Sequence, residues 1–263
     1  MNAVTREMTF FSGGFFGYGE KGDFKAFSLA HILPILLGIA AVLLLWKYGK
    51  RIRSWKLEKE LLFGLAFLAI FCEFSYYARL MYVGNADLPD ATFMGKLPLQ
   101  VCTWTLFFTA FMAMKESRGL FSVCFFLTMS TGIMPLFFPA VISSTGPGYF
   151  RYYQFWGEHL VPIILVFYMI FVHGYKVRPI GMAYALGWLL LLSVPCVLLN
   201  QNFTDASYMY LKHGSFAMLD FLPDSLWVMY LIMFSAVLVL FAITWLIYRL
   251  VQKHAAKSAE TDA

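Results

Sequence analysis

Residues 27–60 read FSLAHILPILLGIAAVLLLWKYGKRIRSWKLEKE, and the two halves of that stretch decide the fold class. From Phe27 to Trp46 the run is almost wholly apolar. At about 1.5 Å of rise per residue it is long enough to cross the roughly 30 Å hydrocarbon core of a bilayer as one helix. Six Lys or Arg residues then follow between Lys47 and Lys59. A basic cluster at the end of a span marks its cytoplasmic side.

The same pattern recurs along the chain. Runs at 61–83, 97–114, 119–142, 157–174, 180–200 and 225–249 are also apolar enough to span, which gives seven transmembrane helices in an all-α bundle. The third is the shortest and the last the longest, so the last is expected to tilt. Composition agrees. Of 263 residues, 60% are hydrophobic and 13% charged, with a mean hydropathy of +0.69, against about 25% charged in a soluble domain. One aqueous core could not hide that much apolar surface. The first two dozen residues mix charges, aromatics and glycines and lack the layout of a signal peptide, so the first span is expected to insert and stay.

Counting charges between the spans orients the bundle. Thirteen Lys and Arg fall in 47–60, in the turns at 115–118 and 174–179, and in the tail from Arg249 onward; six fall on the other side, and Arg79 lies within a span. The basic side is the cytoplasm, which places the N-terminus outside and the C-terminus inside a cell membrane. The formal net charge of +5 is thus topological and faces anionic lipid, with no nucleic-acid partner needed. The tight inner turns make their flanking helices antiparallel neighbours. The outer connections 84–96, 143–156 and 201–224 are longer, and Tyr149, Phe150, Tyr152, Tyr153, Phe155 and Trp156 suit an interface. Residues 1–250 read as one membrane domain, and 251–263 as a polar, disordered tail.

Polar and ionisable groups are costly in lipid and default to function. On this topology they gather in the outer half: His31 in span one, Gln100 and Cys102 at the start of span three, Glu158 and His159 at the start of span five, Asn200 at the end of span six, and Asn202 and Tyr208 beyond it. The cytoplasmic half contributes almost nothing comparable. Glu73 and Arg79 in span two, bridged by Tyr76 at three residues from each, read as a structural network, because a buried charge needs a partner first. Cys72, Cys124 and Cys196 read as core residues. Cys102 differs. With Pro98 in the first helical turn, it falls in the second, near the positive end of the helix dipole, where a nearby histidine would have to supply most of the thiol activation. Gln100 lies on nearly the opposite face of a regular helix. No CxxC, HExxH or nucleophile elbow is present, so no metal and no cofactor is implied. The sequon Asn202-Phe203-Thr204 is too short to carry weight.

Four segments in order, FSLAHILPI, LPLQVC, PGYFRYYQFWGEH and NQNFTDASYMYL, resemble the YwaF-like family of seven-helix bacterial membrane proteins, related to the eukaryotic transmembrane protein 164 branch. The likeness runs from about residue 26 to 245. The third span of that family commonly reads LPLHLC, where this chain has Gln100. After span six the family carries a glycine and a second asparagine, where Asp205 and Ser207 stand here. The resemblance implies cysteine-dependent acyl transfer between glycerophospholipids, with Cys102 as nucleophile, His31 or His159 as base, and Gln100, Glu158, Asn200, Asn202 and Tyr208 around the substrate. Membrane lipids are then the partners. A transporter or small-molecule binding protein that uses the same polar cluster as its pocket is the alternative; it would need a polar path through the bundle.

The charge count makes a direct prediction. Reporter fusions after Arg53 and after the tail should read as cytoplasmic, and a tag in 84–96 should be labelled from outside. External labelling of 47–60 would reverse the placement of the whole polar cluster.

Overall fold

The computed structural model of the chain describes residues 15–16, 24–83, 93–139, 146–212 and 221–261. Among them the ordered elements are all helical. They are α1 Leu29–Arg53, α2 Glu58–Val83, α3 Val101–Met114, α4 Arg118–Leu127, α5 Met134–Phe137, α6 Phe150–Phe171, α7 Ile180–Asn202 and α8 Leu226–Thr261, with a 3-10 turn at Phe93–Gly95. A π turn, Thr128–Gly132, joins α4 to α5, so the two make one broken span over Arg118–Phe137. Six helical segments are long and apolar enough to cross a membrane, and the shorter apolar α3 is the seventh.

Several ends differ from the sequence reading, each for a local reason. Helix α6 starts at Phe150, because FRYYQFW contains no glycine or proline and its charged Arg151 is paired within the fold. Helix α3 starts at Val101 with Gln100 as an extended N-cap, so Pro98 precedes the helix and Cys102 is in its first turn. Helix α8 continues to Thr261; Gln252, Lys253, Ala255, Ala256 and Lys257 are good helix formers, and nothing there breaks the run. The run 119–142 is interrupted at the π turn. There Thr131 Oγ1 donates to the Leu127 carbonyl at 2.7 Å, and Ser130 Oγ donates to that of Phe126. Back-bonding of this kind loosens the helical ladder.

Helix α6 is the axis of the bundle. It packs on α1, α2, α3 and the broken span, and its side chains Phe155, Leu165, Val166, Tyr168 and Met169 are buried. Helices α1, α7 and α8 instead expose rows of Leu, Ile, Val and Trp, surface that lipid covers. Two ends can be told apart. The "cap end" carries residues 203–212; the "turn end" carries the short connections. Near the turn end the core is closed by Leu106, Phe121, Phe126, Leu165, Tyr168 and Phe241.

The turn end also corrects an expectation, for it is not free of polar groups. Glu58 is buried there. Its Oε1 accepts from Tyr168 Oη at 2.9 Å and lies 2.7 Å from His173 Nε2, while its Oε2 pairs with Arg53 at 3.0 Å. His173 Nδ1 faces Glu116 at 3.4 Å. These residues come from three connections that a linear reading keeps apart.

Where helices touch most closely, glycine is required. A Cβ on Gly49 would collide with the carbonyl oxygen of Phe171, and one on Gly181 would sit 2.5 Å from Ser122 Cβ and 2.9 Å from its backbone carbon. Backbone cannot swing aside, so Gly49→Ala and Gly181→Ala should each destabilise by about 1–3 kcal/mol. Gly64 has open space around it, and Gly64→Ala should be neutral or stabilising by about 0.5–1 kcal/mol. Thermal melts in detergent check the contrast; equal effects at all three sites would contradict these contacts.

Candidate functional site: a chamber at the cap end

A cavity of about 450 Å³ opens between the end of α2, the start of α3, the broken span, the first turns of α6, residues 208–211 and the cap-end half of α8. It falls in the range usual for small-molecule sites. Gln100, Cys102, Glu158, His159 and Tyr208 line it, as do Arg151, Tyr76 and Lys96. Asn200, Asn202 and His31 do not.

One face of α6 supplies the charged wall. Arg151, Gln154 and Glu158 are spaced three and four apart, so they stack on successive turns. The guanidinium of Arg151 donates to Gln154 Oε1 and lies 3.3 Å from Glu158 Oε2, which also accepts from Gln154 Nε2 at 2.8 Å. The same guanidinium rests on the ring of Tyr76, 4.4 Å from its centroid, a cation–π contact across to α2. Glu158 is therefore neutralised and held. Sequence reading missed Arg151 and Gln154, because a helix begun at 157 leaves both in a loop; their spacing from Glu158 was the available signal.

His159 follows Glu158 and points its chemistry differently. Its Nδ1 lies 2.8 Å from the Phe155 carbonyl, one turn back on α6. A carbonyl can only accept, so Nδ1 carries the proton and Nε2 keeps its lone pair. Nε2 has no hydrogen-bond partner among the described residues. Cys102 lines the same chamber and is half-buried, whereas Cys72, Cys124 and Cys196 are buried in packing. It occupies the first turn of α3, where the earliest intrahelical bond is from Trp104 N–H to the Gln100 carbonyl at 3.3 Å. The amides of residues 101–103 have no partner within the helix.

The polar residues beyond α7 turn out to build the cap. Asn200 Nδ2 donates to the Tyr208 carbonyl at 2.9 Å, and its Oδ1 accepts from Tyr208 N–H at 2.8 Å. Gln100 does the same one residue to either side, donating to the Ser207 carbonyl at 3.1 Å and accepting from Met209 N–H at 3.0 Å. The Tyr208 hydroxyl accepts from Leu97 N–H at 2.8 Å and donates to the Met94 carbonyl. Burial pushes that phenol above its usual range, which keeps it a neutral donor. Met209 and Tyr210 hold φ of 55° and 56°, two successive left-handed residues of the kind that persist only where surroundings over-determine them. Thus Gln100 and Asn200 are clamps on backbone. An irregular start to α3, with Gln100 outside the helix, removes the opposite-face conflict with Cys102.

Other expected roles are corrected. His31 Nδ1 accepts from Phe27 N–H at 2.8 Å and its Nε2 donates to the Leu136 carbonyl at 2.7 Å, so both nitrogens are engaged in tying the start of α1 to α5. Asn202 is exposed and donates back to Leu198 at 2.7 Å. Glu73 and Arg79 do not pair with each other: Arg79 Nε donates to the Phe16 carbonyl at 3.2 Å, and the Glu73 carboxyl group is buried without a hydrogen-bond partner among the described residues. Six residues of helix turn them to different faces, and Tyr76 serves Arg151 instead.

Comparison with known proteins adds one finding. A family model, that of the TMEM164 family, matches residues 26–248. No curated protein and no solved structure matches the chain.

The clamp is testable. Asn200→Ala strands two buried backbone groups of Tyr208, and should cost about 2–6 kcal/mol at 1–3 kcal/mol for each orphaned group. Asn200→Asp keeps only the acceptor and sets a carboxyl oxygen against the Tyr208 carbonyl, so it should not recover the loss. A melting temperature unchanged in Asn200→Ala would show that the clamp contributes nothing.

Proposed function

The chain belongs to the TMEM164 family, and from that premise we propose that this multi-pass membrane protein transfers or hydrolyses acyl chains of glycerophospholipids, with Cys102 as nucleophile and His159 as general base. The observation that supports the reading is the state of His159: Nδ1 is committed to the Phe155 carbonyl, Nε2 has no hydrogen-bond partner among the described residues, and the residue lines the same chamber as Cys102. An imidazole fixed in that tautomer is arranged as a proton acceptor.

The chemistry balances with these groups alone. His159 Nε2 takes the Cys102 thiol proton as sulfur attacks the ester carbonyl of a lipid. The amides of the first turn of α3, which have no intrahelical partner, are the donors this reading assigns to the negative charge that develops on oxygen. The carbonyl–oxygen ester bond breaks, and His159 returns the proton to the departing lysolipid alcohol, leaving a thioester on Cys102. A second lysolipid hydroxyl, or water, then gives its proton to His159 and attacks the thioester. This releases a new ester or a free fatty acid and restores the thiol. Arg151 supports the cycle by neutralising Glu158, a carboxylate that would otherwise oppose a thiolate.

On the charge distribution the cap end faces outside, so the substrate is drawn from the outer leaflet of the cell membrane. The closed packing near the turn end, with Phe121, Phe126, Leu165 and Tyr168 buried, offers no support for a polar path through the bundle, and so favours acyl transfer over transport.

The test is a purified protein in vesicles holding a phospholipid with an isotope-labelled acyl chain and a lysophospholipid acceptor, read by mass spectrometry. Transfer should vanish in Cys102→Ala and fall about 10²–10⁴-fold in His159→Ala, the range general-base catalysis supplies. Undiminished transfer in Cys102→Ala, or no turnover by the unaltered protein, would overturn the proposal.

A further inference from the structure

The chamber changes character along its length. Its charged and hydrogen-bonding groups stand on the end of α2, the approach to and start of α3, the π turn, α6 and residues 208–211, while α8 contributes only Met233, Phe234, Ala236, Val237 and Leu240. Those positions fall on one stripe of the helix. Leu231, Leu238 and Val239, on its other faces, are exposed to lipid.

Helix α8 is anchored on both sides of that stripe. Toward the cap end, Tyr230 Oη donates to the Leu211 carbonyl at 3.3 Å. Toward the turn end, the ring of Phe241 packs on Phe126 at 5.7 Å, and Tyr248 Oη accepts from Val177 N–H at 3.1 Å. Between these anchors the helix forms a wall of the cavity. We infer that this apolar half is a subsite for a single acyl chain of a membrane phospholipid, running from the Cys102–His159 face toward Leu240, with the Phe241–Phe126 contact limiting the length accepted.

Three physical points favour that occupant. An apolar-lined space does not hold ordered water. Left empty, an apolar space forfeits the dispersion contacts of every atom that lines it. The surrounding solvent is lipid, whose acyl chains are the apolar molecules at hand, and the polar end of the chamber can meet the ester while the stripe meets the tail. The inference rests on the acyl-transfer reading for its direction, from ester to tail.

The experiment reads binding apart from turnover. The full chain is placed in vesicles with phosphatidylcholine carrying a diazirine at the end of one acyl chain, irradiated, digested and mapped by mass spectrometry. Adducts should concentrate on Val237, Leu240 and the facing Leu189 over Leu238 and Val239, and the pattern should persist in Cys102→Ala. In Val237→Trp, adducts from a long-chain probe should fall about tenfold or more, as excluding methylenes from a fitted pocket does, while a short-chain probe still labels; Leu238→Trp should change neither. Adducts confined to Leu231, Leu238 and Val239 in the unaltered protein would overturn the subsite and leave the nucleophile assignment standing. Transfer undiminished by Cys102→Ala would remove the nucleophile and leave the subsite standing.

Discussion

The pairing of Arg151 with Glu158 is the interaction on which the chamber depends. A guanidinium and a carboxylate at the end of a transmembrane helix each cost several kcal/mol to take out of water, and neither survives there alone. Placed seven residues apart on α6, with Gln154 between them, they satisfy each other along one face. That fixes which way the face turns. His159, one position on, is carried into the same chamber, and Tyr76 of α2 is drawn against the guanidinium. A single charge-pairing constraint thus sets the rotation of the central helix and its contact with α2.

The second constraint is that irregular backbone in a membrane must be buried in protein or line a cavity. Among the described residues, three irregular segments border the chamber: the extended approach to α3, the π turn in the broken span, and the left-handed pair at Met209 and Tyr210. Each departure frees backbone groups or side-chain volume, and the space they leave is the cavity. Regular helices pack closely where the chain has Leu, Phe and Ala at the turn end, and they leave the opening where Ser, Thr, Gln and Asn compete with the backbone for hydrogen bonds.

Much of this could be read from the chain itself. The seven apolar segments follow from composition and length, and the gathering of Cys102, Glu158 and His159 at one depth follows from their positions in the spans. Partnership was not legible. His31 and His159 look alike in sequence, yet one has both nitrogens engaged and the other has one open; the difference lies in the Leu136 carbonyl, 105 residues away. Glu73 and Arg79 invited pairing because they are near in sequence, whereas the structure pairs charges by helix face. The polar network of Glu58, His173, Glu116 and Arg53 needed knowledge of which turns meet. Asn200 and Gln100 read as substrate ligands because an amide in a membrane must hydrogen-bond something, and sequence does not say whether that is substrate or backbone.

That last point bears on how the segment after α7 is held. What Gln100 grips at Ser207 is the carbonyl oxygen, and what Asn200 and Gln100 grip at Tyr208 and Met209 are amides and a carbonyl. The path of this loop is therefore written partly outside it, in the residue that precedes α3 and in the end of α7, as well as in its own Tyr208. A segment gripped by its main chain keeps part of its shape in residues outside itself, so a change at Gln100 is felt at Ser207, 107 positions along the chain.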